Sequence, residues 1–66
     1  MKNTIKVERA KLDMTQQELA NKVNVSRQTI NSIETQRFIP STVLALKIAA
    51  IFQTSVNEIF TLENDD

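Results

Sequence analysis

Thr15 and Glu18 stand three residues apart just ahead of an apolar run, and that spacing dictates where a helix begins. The threonine hydroxyl accepts from the orphan amides of a first turn while the carboxylate reaches back to the cap amide. Leu19, Ala20 and Val23 follow at i, i+1 and i+4, so one face is apolar while Gln16, Gln17, Asn21 and Lys22 point elsewhere. Asn24 comes next. Asparagine enters the left-handed conformation more readily than most non-glycine residues, so it ends this helix and turns the chain. Val25 can then point back into the angle between two helices, and Ser26 is a good N-cap for the second. Ile30 and Ile33 supply the second helix's apolar face; Arg27, Gln28, Asn31 and Ser32 form the other, with Thr29 at its flank. Met14 to Glu34 therefore reads as two short helices joined by a tight turn.

The polar face of the second helix points to chemistry. A helix needing only solubility typically carries Glu and Lys on its exposed positions. Arg27, Gln28 and Asn31 instead offer forked or amide groups of the kind that hydrogen-bond base edges in a major groove. Two short helices with the second opening Ser-Arg-Gln-Thr is the geometry in which a helix-turn-helix presents its recognition helix to DNA. Thr15-Gln16-Gln17-Glu18-Leu19-Ala20, Val25-Ser26-Arg27-Gln28-Thr29-Ile30 and Ile33-Glu34 resemble the Cro and phage-repressor class, the xenobiotic-response-element family of bacterial and phage regulators. Pro40-Ser41, Leu44 to Ala49, Phe52, Ser55-Val56 and Glu58-Ile59-Phe60 extend the resemblance over nearly the whole chain. It implies an all-α, five-helix, lambda-repressor-like DNA-binding domain with a central helix-turn-helix.

Length and composition bound the alternatives. The 66 residues allow one domain and one core, and so short a chain gains from a dimer partner. With no cysteine and no histidine there are no disulfides, thiolate metal sites or His-based catalysis. No apolar run approaches the roughly 20 residues of a membrane span, and the N-terminus lacks a signal peptide's apolar core, so a cytoplasmic protein is expected. Net charge is zero, whereas DNA-binding domains are usually basic. The distribution answers part of this. Residues 1–60, the expected DNA-binding domain, hold all eight basic residues against five acids; Glu63, Asp65 and Asp66 make residues 61–66 an acidic tail, expected to lie away from phosphates.

Along the chain, Met1 to Asp13 should hold a first helix with Ile5 and Leu12 buried, Arg9 between them, and Glu8 and Lys11 in solvent. Val7 leaves two options, a partly exposed helical residue or an N-terminus that begins extended. The family resemblance implies that Arg9 pairs with Glu34 at the end of the recognition helix. After Glu34 comes a loop in which Phe38 should cover the core, Ile39 is held extended by Pro40, and Arg37 lies where a phosphate contact would be. Ser41 caps a fourth helix so apolar, with Lys47 its only charge, that it should be buried in the middle of the bundle. Ser55 and Glu58 repeat the capping-box spacing and open a last short helix through Ile59 and Phe60. Thr61 to Glu63 either extends as a short terminal strand or frays. Leu62 with Ile59 or Phe60 is a candidate dimer seam or the monomer's own lid. The family commonly has glycine where this chain has Asp13, Asn24, Gln36 and Gln53; Gln36 and Gln53 would adopt positive φ only at a cost of about 1 kcal/mol each, so either those turns differ in shape or strain is present.

The expected function is sequence-specific binding of double-stranded DNA as a transcriptional regulator, a repressor acting as a homodimer on a palindromic operator. Arg27, Gln28 and Asn31 are the expected base readers, Arg suiting guanine O6 and N7 and the amides adenine N6 and N7, with Ser32 a further candidate. Ser26, Thr29, Gln16 and Arg37 are expected on phosphates. No enzyme activity, metal, cofactor or small-molecule ligand is expected, since the carboxylates are scattered and no deep pocket fits in so small a domain. The alternative is a protein-interaction module, such as an antitoxin-like partner docking through its acidic tail or Leu62.

Overall fold

The computed structural model describes all 66 residues. Five helices, α1 (Ile5–Lys11), α2 (Gln16–Val23), α3 (Arg27–Glu34), α4 (Thr42–Ile51) and α5 (Val56–Ile59), follow one another along the chain between two strands of two residues each. β1 (Lys2–Asn3) and β2 (Phe60–Thr61) pair antiparallel, Lys2 opposite Thr61 and Asn3 opposite Phe60, and the Thr4 N–H donating to the Ile59 carbonyl continues the closure. Of the options left open by the sequence, the N-terminus begins extended and Phe60-Thr61 forms a strand. Each helix sends at least one fully buried side chain to a single core: Ile5, Leu19, Ile30 with Ile33, Ile48, and Ile59. Burying such a side chain contributes about 1.5–3 kcal/mol.

Local chemistry explains where the helices start. Thr15 and Glu18 form the full capping box, Thr15 Oγ1 accepting from the Glu18 N–H and Glu18 Oε1 accepting from the Thr15 N–H, each at 3.0 Å. Ser26 and Ser41 cap α3 and α4 through their hydroxyls. Ser55 does not form the second box: the Glu58 N–H bonds to the Ser55 carbonyl, closing a one-turn helix without the side chain. Helix α1 starts differently, with Asn3 Oδ1 accepting from the Ile5 N–H.

The helix ends share one device. Asp13, Asn24, Gln36 and Gln53 sit at φ 54°, 62°, 63° and 55°. At each, its own N–H and the next one bond back in the crossed Schellman pattern: Asp13 to Ala10 and Met14 to Arg9, Asn24 to Asn21 and Val25 to Ala20, Gln36 to Ile33 and Arg37 to Ser32, Gln53 to Ala50 and Thr54 to Ala49. The same left-handed turn is thus built four times without glycine.

Three expectations about burial fail, and at the C-terminus one of two options is decided. Leu12, the C-cap of α1, is 55% exposed, because the chain turns away at Asp13 before Leu12 reaches the core. Phe38 is 49% exposed; the Arg37 and Phe38 amides both fold back to the Ser32 carbonyl, and Pro40 takes the buried place. Helix α4 is not central: Ala45, Ile48 and Ala49 face the core, while Val43 and Leu46 lie on the opposite side at 62% and 56% exposure with no element over them. Ile59 and Phe60 are buried in the monomer's own core, so Leu62, 77% exposed, stands without them as a surface residue. The tail folds back, Asp66 Oδ2 and Glu63 Oε1 lying 3.1 and 3.2 Å from the Met1 ammonium.

Candidate nucleic-acid interface

Helices α2 and α3 meet through Leu19, Ala20 and Val23 on one side and Ile30 and Ile33 on the other, with Val25 packed partly into their angle. Asn24, at φ 62° and ψ 46°, makes the turn. That packing leaves the remaining face of α3 outward. Arg27 and Asn31 lie one turn apart on one stripe, and Gln28 and Ser32 on the next. Arg27, Gln28 and Arg37 are exposed, and no intraprotein hydrogen bond or ion pair engages their side chains. Ser26, Gln28, Thr29, Ser32 and Arg37, with Phe38, line one shallow polar depression, so the turn after α3 brings Arg37 beside the outward face of α3. Ser26 and Thr29 are partly committed there: Ser26 Oγ accepts from the Thr29 N–H at 3.2 Å, and the two hydroxyl oxygens are 3.0 Å apart.

A second group of side chains holds α3 in place. Arg9 donates from Nε to Glu34 Oε2 at 2.7 Å and from Nη2 to Glu34 Oε1 at 3.0 Å, a bidentate pair, while Nη1 donates to the Met14 carbonyl at 2.8 Å. The hydrogen bond to Glu34 raises the Arg9 pKa further above its ordinary value. The pair also neutralises an acid at the end of α3 that would otherwise oppose a phosphate backbone. Gln16 Nε2 donates to Asn31 Oδ1 and to Glu34 Oε1, each at 3.2 Å. Both donors of the Gln16 amide are therefore used inside the protein. Asn3 Nδ2 donates to the Ile33 carbonyl at 2.9 Å, tying the last turn of α3 to β1. Sequence reasoning missed Asn3, whose bond spans 30 residues and leaves no local signal.

A sequence profile of the helix-turn-helix family matches residues 5–59, from the first residue of α1 to the last of α5. The chain belongs to the helix-turn-helix family of transcriptional regulators. It is 47% identical over 66 residues to an uncharacterized HTH-type transcriptional regulator of Methanocaldococcus jannaschii, covering all of both chains. It is 39% identical over 66 residues to the uncharacterized HTH-type transcriptional regulator YgzD of Bacillus subtilis, again over both full lengths. Among solved structures it is similar to the clp gene regulator ClgR of Corynebacterium glutamicum, with a TM-score of 0.76 and 26% identity over 82% of this chain; it spans 57% of that chain. Arg27 and Gln28 stand on the outer face of α3, the second helix of the helix-turn-helix, and Arg37 lies in the turn after it. No helix is long and apolar enough to cross a membrane.

Proposed function

We propose that the protein is a cytoplasmic repressor that binds a palindromic operator as a homodimer, reading base edges with Arg27, Gln28 and Asn31, and with Ser32 as a further contact. The observation that carries this is a face on which Arg27 and Gln28 are exposed and without protein partners, with Asn31 beside them held by Gln16, on a helix tied down by the side chains of Arg9, Gln16 and Asn3. A reader must be free at its tip and fixed at its base, because orienting a mobile helix on binding costs entropy. Ser26, Thr29 and Arg37 flank the face and position it on phosphates. Gln16, with its amide hydrogens occupied, meets a phosphate only through its backbone N–H at the start of α2.

Two copies related by a two-fold axis set their recognition helices into successive major grooves when the half-sites are about 34 Å apart. The exposed apolar side chains Ile39, Val43 and Leu46 give such a dimer a surface to bury. Occlusion of a promoter is the simplest action of a domain of this size.

The test is selection of bound duplexes from a random pool at fixed salt, with wild type and Arg27→Ala/Gln28→Ala side by side. A two-fold-symmetric consensus, lost in the variant, with affinity falling steeply as salt rises, is the expected result. Absence of enrichment for wild type, together with salt-insensitive association with another protein, would replace this reading with the interaction module.

A further inference from the structure

Phe38 is the one apolar side chain in the depression beside α3, whose other walls are Ser26, Gln28, Thr29, Ser32 and Arg37. It is 49% exposed, yet its backbone is held in place. The Arg37 and Phe38 amides donate to the Ser32 carbonyl at 2.8 and 3.2 Å, just after Gln36 turns the chain at φ 63°. The ring is therefore anchored to the last turn of α3 and moves with it. With both amides engaged, what this turn presents to a ligand is the Arg37 guanidinium and the Phe38 ring. A phenyl ring has no hydrogen-bonding nitrogen or oxygen, so it cannot read the polar atoms of a base edge. It can read an apolar one.

We propose that Phe38 is a specificity-determining residue that packs on the C5 methyl group of a thymine in the major groove. That methyl is the one alkyl group that base pairs present there, and phenylalanine is among the side chains that suit it. It stands at the edge of the groove beside its own strand's sugar and phosphate, between the base edges and the backbone. Phe38 occupies the matching place in the protein, with Gln28 and Ser32 of the outward face of α3 on one side and Ser26, Thr29 and Arg37, the proposed phosphate contacts, on the other. Taking the methyl and the ring face out of water favours thymine over cytosine, which carries only hydrogen at C5, without any hydrogen bond. This inference rests on the reading of α3 as a base reader, and deepens it by adding a reader from the turn beyond the helix.

The experiment repeats the random-duplex selection at fixed salt with the full chain as wild type and Phe38→Ala, each checked by thermal melt and by sedimentation for its state of assembly; Phe38→Ser stands in should Phe38→Ala not fold. The wild-type consensus should hold a thymine column in each half-site that Phe38→Ala brings level with cytosine, the other columns being unchanged. On the selected duplex, deoxyuridine in place of that thymine in one half-site removes the methyl and keeps every hydrogen-bonding group. It should weaken wild-type binding about fourfold, the scale of burying one methyl group, and leave Phe38→Ala unchanged. A consensus with no thymine column answering to Phe38, or deoxyuridine bound by wild type as tightly as thymine, overturns the inference alone. So does an equal loss across all sequences in Phe38→Ala, which would put the ring on a sugar, or a changed state of assembly with the consensus intact, which would put it on another protein chain. A wild type that selects no consensus overturns the DNA reading beneath it.

Discussion

Replacing Gln53 by glycine should stabilise the protein, although glycine usually weakens a fold. Gln53 is exposed and its side chain makes no hydrogen bond, so the substitution removes none. Its φ of 55° puts Cβ against the following carbonyl, a strain of about 1–2 kcal/mol for an L-residue. Glycine removes that strain and returns about 0.5–1 kcal/mol of it as extra freedom of the unfolded chain. The net gain is roughly 0.5–1 kcal/mol, and in a domain this small each kcal/mol moves the melting temperature by about 4–8 °C. Gln36→Gly, at φ 63° and equally exposed, should behave alike, and the two should add because they end different helices. Asn24→Gly should lie close to neutral, since asparagine already tolerates the left-handed region. Lys47→Gly, exposed inside α4, is the control and should lose about 0.7–1 kcal/mol. Thermal melts by far-ultraviolet circular dichroism at one fixed protein concentration read the wild type, the four single variants and the Gln36→Gly/Gln53→Gly double. If Gln53→Gly falls as far as Lys47→Gly, the strain argument at the helix ends is wrong.

Two further outcomes follow from the ties around α3 and α2. Arg9→Ala and Glu34→Ala should each cost about 2 kcal/mol or more, because each strands a largely covered partner with side-chain exposure of 14% and 6% in the intact pair. The double variant should cost clearly less than their sum in urea unfolding, and additivity would mean the two side chains do not interact. The Thr15 backbone N–H, and then its hydroxyl, hold the Glu18 carboxyl below the usual carboxylate range. A lowered folded pKa contributes stability that is present above the unfolded value near 4.3 and is lost as pH falls through the folded value. Wild type should therefore melt above Glu18→Gln at pH 7, and the gap should close as the pH drops below about 4; a gap independent of pH would remove the ionised carboxylate from the cap.

Much of the site was legible because it is local. Thr15, Ser26 and Ser41 cap helices with their own hydroxyls, and Asn24 turns the chain with its own backbone preference; neither needs a distant partner. The family resemblance supplied the Arg9–Glu34 pairing and marked the four positions where glycine is usual, and all four adopt positive φ. A face of Arg27, Gln28 and Asn31 could be written down from helical spacing alone.

Tertiary structure decided which apolar residues are covered and which amides point outward. Leu12, Phe38, Val43 and Leu46 are as hydrophobic as Leu19 or Ile48, but burial belongs to what lies opposite a side chain, and five short helices cannot enclose every apolar face. Asn3 clasps a carbonyl 30 residues away, and β1 meets β2 across nearly the whole chain. The orientation of Asn31 is set by a charge that begins at Arg9 and arrives through Glu34 and Gln16. The sequence by itself determined where each of α2, α3 and α4 begins and which residues face outward from α3, because caps and periodicity act within a few residues. Only the fold decided that Asn31 on that face is engaged by Gln16, because that contact depends on side chains brought together from different helices.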